Sequence, residues 1–328
     1  MQFGCRNQPS VGKIFVMPDF ILNFVPQKKD MRKITMAILL LRAVAGMAQG
    51  YITYENLSSS ALRNEGGERF GSGDMYMVSA GYTIPLSSKE NERGQTTAWM
   101  TSISATYAEM GNHGEAREMN PSSIINSGIS LTHIRPISEK WSIIANAGCG
   151  IYAPADEISA KSILGSGGII FVCRLNNNLS LGIGGGITNS YGAPMAMPML
   201  YLNWQRNGKF TFRIDMANSI KMAVSTHFSD RFSLEFVPLE VDGLAAVMSV
   251  EGQEQVYSMM MLRSYLSPSF RFGKRMTLFA TVGGNWIRGI KTTERSLKGF
   301  FDGFTDDGKD DPYFQPALRL SAGMRFSL

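Results

Sequence analysis

Eight charged side chains fall at alternate positions of runs whose same-face neighbours are small and polar: Arg213, Asp215, Lys221, Glu235, Arg263, Arg271, Arg319 and Arg325. The positions between them are apolar, as at Phe212, Ile214, Met222, Phe236, Leu262 and Leu320. If the polar faces line an interior, charges of both signs set ion selectivity and a transverse field in a water-filled path. Salt-bridged to one another, the same residues would fill that interior instead. The sequence leaves both readings open.

Other chemistry finds less support. A hydrolase needs a nucleophile, a base within hydrogen-bond reach and oxyanion donors. The three histidines are His113, expected in a loop at one end, and His133 and His227, expected at the other. None is paired with a cysteine or histidine at zinc-ligand spacing. Asp302, Asp306, Asp307, Asp310 and Asp311 crowd one loop, but without the calcium-loop spacing or its closing glutamate, so they read as a solvated surface. Gly182, Gly184, Gly185 and Gly186 lack the lysine-serine and helix of a phosphate loop, and read as relief of crowding on a strand. The methionines, Met259 to Met261 among them, read as flexible apolar filler. No cofactor and no metal follow from the sequence, and the chain is not expected to be an enzyme.

The elements that must position the charges are strands. No run of 18 apolar residues is present, so no transmembrane helix is available. Period-two alternation recurs instead, which separates two faces of a ribbon. It is clearest from Leu318 to Leu328, where Leu318, Leu320, Ala322, Met324, Phe326 and Leu328 share one face. Earlier runs repeat the rule, including Met276 to Trp286, Met260 to Phe272, Phe232 to Phe236, Phe210 to Ile214, Leu179 to Ile187 and Trp141 to Ile151. Tyr51 to Leu57 is the weakest.

Connection lengths organise these runs. Short turns are expected at Pro136–Lys140, Leu175–Asn178, Gln205–Lys209, Phe228–Arg231 and Phe272–Arg275. Long ones are expected at Glu109–Ser123, Ala153–Lys161, Val241–Gln255 and Lys291–Tyr313. Short and long alternate when Lys209–Phe228 is split into two strands and Tyr51–Leu57 is the first. The result is an all-β chain forming a single antiparallel transmembrane β-barrel of 14 strands, with short periplasmic turns and longer extracellular loops. Twelve strands is the alternative, with Lys209–Phe228 one bent strand and Tyr51–Leu57 not counted. Trp99, Trp141 and Trp204 lie near short turns and Trp286 near the far end of its strand, as interfacial belts require. Eight strands enclose a filled interior and sixteen to eighteen a channel, so fourteen implies a narrow or plugged path.

The amino-terminal region differs. Residues 31–48 combine Arg32 and Lys33, an apolar stretch from Ile34 to Leu41, and small residues at Gly46 and Ala48, the pattern of a secretory signal peptide. Residues 1–30 read as an upstream extension from a misassigned start, leaving 49–328 as the barrel. That remainder holds 25 basic and 25 acidic residues, which gives no support to nucleic-acid binding. Cys149 and Cys173 end successive strands and lie too far apart to bridge.

On these residues the chain resembles the outer-membrane β-barrel proteins of Gram-negative bacteria. More narrowly it resembles a group of uncharacterised barrels known only as a domain of unknown function. The resemblance spans roughly Gly50 to Leu328 and rests on the leader, the Phe210–Val237 hairpins and the closing strand. It implies residence in the bacterial outer membrane with lipid around the wall. It also implies recognition by the barrel assembly machinery through Met324, Phe326 and Leu328, although such signals more often end in an aromatic residue. The function expected is a narrow channel or uptake barrel for small solutes or apolar molecules. A structural or partner-binding barrel without transport is the alternative, and a barrel-embedded hydrolase a third.

Overall fold

The computed structural model describes residues 49–64, 66–92, 95–189, 195–206, 209–215, 219–250, 252–295 and 311–326. The leader assignments at 1–30 and 31–48 lie outside them, as do Leu328 and four of the five clustered aspartates. The strands are β1 (Gln49–Arg63), β2 (Arg69–Glu90), β3 (Thr96–Gly114), β4 (Ser123–Pro136) and β5 (Trp141–Pro154). They continue with β6 (Ile163–Asn176), β7 (Leu179–Thr188), β8 (Met195–Arg206), β9 (Phe210–Asp215) and β10 (Ile220–His227). The last are β11 (Phe232–Val250), β12 (Gln253–Phe272), β13 (Met276–Glu294), β14 (Tyr313–Phe314) and β15 (Ala317–Phe326).

Each strand pairs antiparallel with its neighbours, and β15 pairs with both β13 and β1. The register from Gly50↔Phe326 to Leu57↔Arg319 closes the sheet into a barrel. β14 continues the line of β15 between the same partners, with Phe314 opposite both Leu62 and Arg288. The break falls at Gln315–Pro316, where proline has no N–H to give a ladder. The barrel thus has fourteen staves, the expected number. Splitting Lys209–Phe228 into β9 and β10 accounts for the even count.

Outward residues between the two ends are large and apolar: Ile103, Ile129, Leu131, Ile169, Ile183, Leu200, Leu266, Val282 and Leu320 are all exposed. Exposed Trp99, Trp141, Trp204, Phe228 and Phe272 rim the end with short turns. Tyr54 and Trp286 mark the other limit, and Tyr76 stacks on Tyr54. On β12 the stretch from Phe272 to Leu262 runs roughly 33 Å at ~3.3 Å per residue, or about 25 Å of height at a tilt of ~40°. That height is the thickness of an outer-membrane apolar band.

The staves are unequal. β2, β3, β11, β12 and β13 run well past the second aromatic limit, whereas β7 to β10 stop near it. Here the expected long connection at Val241–Gln255 is corrected, because β11 and β12 run through it and meet at a tight turn on Gly252 (φ +83°). The run Leu244, Ala245, Ala246, Val247 lacks alternation because it is buried on both faces. The long connections at Glu109–Ser123 and Lys291–Tyr313 are likewise shortened by β3 and β13, and His113, expected in a loop, is in β3. A single turn of helix, α1 (Ala116–Met119), occupies the first.

Candidate functional site: a charged layer between two kinds of lumen

Inward residues form rows across the ladder. The row nearest the short turns reads Arg271, Thr277, Arg325, Tyr51 and Gly81. The next reads Ser269, Phe279, Gly323, Thr53, Ser79 and Thr106. Small hydroxyls dominate this half, and they bond across strands, as in Ser233–Ser269 at 2.8 Å and Ser79–Thr106 at 2.9 Å.

Further from the turns the same wall becomes apolar. Leu57, Leu62, Met75, Met77, Ala108, Met110, Ile124, Leu244, Ala246, Tyr257, Met259, Met261, Ile290 and Phe314 pack into one buried cluster inside the loop end. The tip of the β11–β12 hairpin curls into the lumen to complete it. Its opposite face, Val247 and Val256, packs on Leu164 and Tyr152 of the facing wall. Several polar contacts hold the tip. The Tyr257 hydroxyl donates to Asn120 at 2.7 Å. The Asn126 amide, turned with its nitrogen toward Ala245, donates to the Ala245 carbonyl at 2.7 Å and accepts its N–H at 3.1 Å. At the extremity Glu254 pairs with Lys161 at 2.7 Å and Arg295 at 2.9 Å. The Arg288 guanidinium lies 3.7 Å over the Phe314 ring and donates to the Gly73 carbonyl at 2.8 Å.

Between these halves sits a layer of buried ions. Arg263 reaches Asp242 at 2.9 Å and Glu55 at 3.3 Å, and Arg319 donates to the other oxygen of Glu55. Arg319 also stacks over Tyr265 at 4.4 Å. Side-chain exposures of 4% for Arg263, 8% for Arg319 and 7% for Glu55 take these charges out of bulk water. Buried ions are tolerated when each is paired, and leaving one unpaired costs about 3–5 kcal/mol. A second group lies on the wall of short strands, where Lys221 and Arg213 each reach Glu235 at 2.8 Å. Asp215 stands opposite Lys221 in the β9–β10 ladder.

A cavity of about 430 Å³ joins the two groups. Of the eight sequence candidates, Lys221, Glu235, Arg263, Arg319 and Arg325 line it. Arg213 reaches it through Glu235, Asp215 through its ladder position, and Arg271 stands exposed at the mouth outside the lining. Sequence reasoning missed Glu55, Glu240, Asp242 and Tyr265, which also line it. Glu55 alternates with Tyr51 and Thr53 in the strand whose pattern was weakest, Asp242 lay in the Val241–Gln255 stretch read as a long connection, and Glu240 stands just before it, past the alternating run Phe232–Phe236. Met324 and Phe326 are on the outer face of β15, with the Phe326 ring 6.1 Å from that of Tyr82. The histidines are dispersed: His133 stacks on Trp99 at 4.0 Å on the outer wall, His113 pairs with Ser72 in the ladder near the loop end, and His227 ends β10.

Comparison with known proteins places the chain in a family without assigning its chemistry. The chain belongs to the family described as Domain of unknown function (DUF6268), whose model matches residues 44–327. No curated protein matches it. Among solved structures it is similar to the KdgM porin in complex with disordered oligogalacturonate, at 9% identity and TM-score 0.31, over 85% of this chain and 99% of that one. A bacterial polysaccharide outer membrane secretin aligns at 12% identity and TM-score 0.38, over 87% and 99%. The outer membrane protease OmpT from Escherichia coli aligns at 7% and 0.28, over 86% and 97%. At TM-scores this low none of the pairs superposes as a whole, and the barrel is defined by its own closed ladder.

Proposed function

We propose that this member of the DUF6268 family is a bacterial outer-membrane barrel that acts as a narrow channel for small hydrophilic solutes. The observation that carries the reading is the polar, charge-lined cavity within a wall whose outer face is an apolar band between aromatic limits. A hydrated solute exchanges water for hydroxyls and for charges of both signs there, at low cost in desolvation. An apolar solute would find no matching surface in that half of the lumen. In this reading residues 31–48 are the export signal and residues 1–30 an upstream extension. The surrounding partner is outer-membrane lipid, and the barrel assembly machinery reads Met324, Phe326 and Leu328. The short turns then face the periplasm and the tall staves the exterior.

Refolded barrel in a planar bilayer should give discrete single-channel steps, with ion selectivity that changes on Arg325→Glu. A bilayer that stays sealed would overturn transport. It would favour the second reading, a partner-binding barrel, for which the apolar-cored projection at the loop end is the specific support.

A further inference from the structure

The outer wall is hollowed in one sector. On the face of β3 to β7 turned away from the lumen, a groove of about 810 Å³ runs over a floor made by Ala145, Ala147, Gly167 and Gly185. Trp99, His133 and Leu131 stand along one side of it, and Ile169, Phe171 and Ile187 along the other. All of these but His133 are exposed, and they belong to the apolar band of the wall.

Crowding accounts for only part of the floor. A side chain at Gly184 would clash with the Ile169 carbonyl and one at Gly186 with the Gly167 carbonyl, while one at Gly167 would come within 2.9 Å of the Asn146 carbonyl. At Gly185 a side chain would meet only the Met197 carbonyl, at 3.7 Å, an ordinary contact. A strand glycine that packing does not require is the kind that marks close approach by a ligand. Charge lies at one end of the groove. One row nearer the short turns, the outward positions are Lys89 and Thr97, then Arg135, Ile143 and Phe171, with no acidic residue among them. Lys89 and Arg135 are exposed, and Arg135 is two residues, about 7 Å at ~3.3 Å per residue, beyond His133. Trp99, stacked on His133, sits at a height between the cations and the rest of the floor, the place of an interfacial ring.

We propose that this groove is a binding site for an anionic phospholipid, with one acyl chain lying over Ala145, Ala147 and Gly185 and the phosphate held by Lys89 and Arg135. The site rests on the membrane reading of the barrel and is independent of transport. An apolar floor followed by two cations matches the two ends of such a molecule, in the order in which a leaflet presents them. A second copy of the chain fits less well. Barrels in one membrane share an orientation, so a twofold contact here would set groove against groove and bring Lys89 and Arg135 against their own copies at the same height.

The test is native mass spectrometry of the full-length barrel, titrated in detergent with phosphatidylglycerol or phosphatidylcholine. One phosphatidylglycerol is expected to stay bound, with an affinity roughly tenfold above that for phosphatidylcholine. Lys89→Ala with Arg135→Ala should abolish that preference. Ala147→Leu fills the floor, leaves the cations in place and should lower retention of both lipids. Gly185→Leu provides a second filled floor should Ala147→Leu fold poorly. Equal retention of the two lipids by the wild-type barrel would overturn the site, as would wild-type retention in either the charge variant or the filled variants. A dimer that Ala147→Leu dissociates would give the groove to a second copy and overturn it too. Flotation of refolded barrel with vesicles separates the two failures. A barrel that stays behind overturns the membrane reading, and one that floats without a lipid preference overturns the site alone.

Discussion

On β2 the residues facing outward are Tyr82, Ala80 and Val78 in the membrane-height ring, then Asp74 and Ser72 in the part that projects beyond it. Those facing inward are Gly81 and Ser79 in the ring, then Met77 and Met75 above. β13 repeats the exchange: Leu278 and Val282 face out and Thr277 and Thr281 in, and further along Lys291 faces out and Ile290 in. The ring is apolar outside and polar inside, and the projection is the reverse. A pleated strand presents its two faces independently, so a single stave can satisfy lipid at one height and water at another. Along the inner wall the exchange occurs at the layer of Glu55, Arg263, Arg319 and Asp242, which separates the hydroxyl-lined half from the methionine-rich core.

That division can be broken at its boundary first. Glu55→Ala leaves Arg319 without its carboxylate and Arg263 with Asp242 alone, and about 3–5 kcal/mol should be lost. Urea-driven unfolding in lipid vesicles measures it, and a wild-type midpoint would mean that the layer is solvated. In the projection, Met259→Ala should cost about 2–5 kcal/mol, the range for a fully buried apolar side chain. Ser269→Ala, in the ring interior, removes one hydroxyl pair and should cost about 1 kcal/mol. Equal losses would erase the contrast between a packed and a polar lumen. On the outer face, Val282→Arg meets lipid and should cost about 2–4 kcal/mol. Asp74→Arg meets water and should stay within ~0.5 kcal/mol, so a large effect there would move the membrane limit outward. A further change falls on the hairpin clamp. Asn126→Ala should cost about 1 kcal/mol, read most directly as faster hydrogen exchange at the Ala245 amide.

The ring was legible in the sequence because its outer side is apolar and its inner side polar, which is the condition for clean alternation. Phe270, Leu266 and Leu262 against Arg271, Ser267 and Arg263 could be sorted without coordinates. The projection was illegible for the same reason reversed. Where Leu244, Ala245, Ala246 and Val247 are covered on both sides, the period disappears and a strand looks like a loop. The site was half visible. Its bases and Glu235 stand on well-marked strands, whereas Glu55 stands on a weak one, and Glu240 and Asp242 lie past the last alternating run, where that unmarked stretch begins. Charges of one sign were therefore found more readily than their partners.

Glu55 and Arg319 meet across the seam where the first strand joins the last, 264 positions apart in the chain. Pairing so distant cannot form until almost the whole polypeptide is available, which makes closure a late and slow event. Until then both seam edges are open to mispairing with other chains. A slip of one residue in β15 would carry Arg319 to the lipid side and strand Glu55 inside. The ion pair therefore forms only in the register in which the barrel is complete.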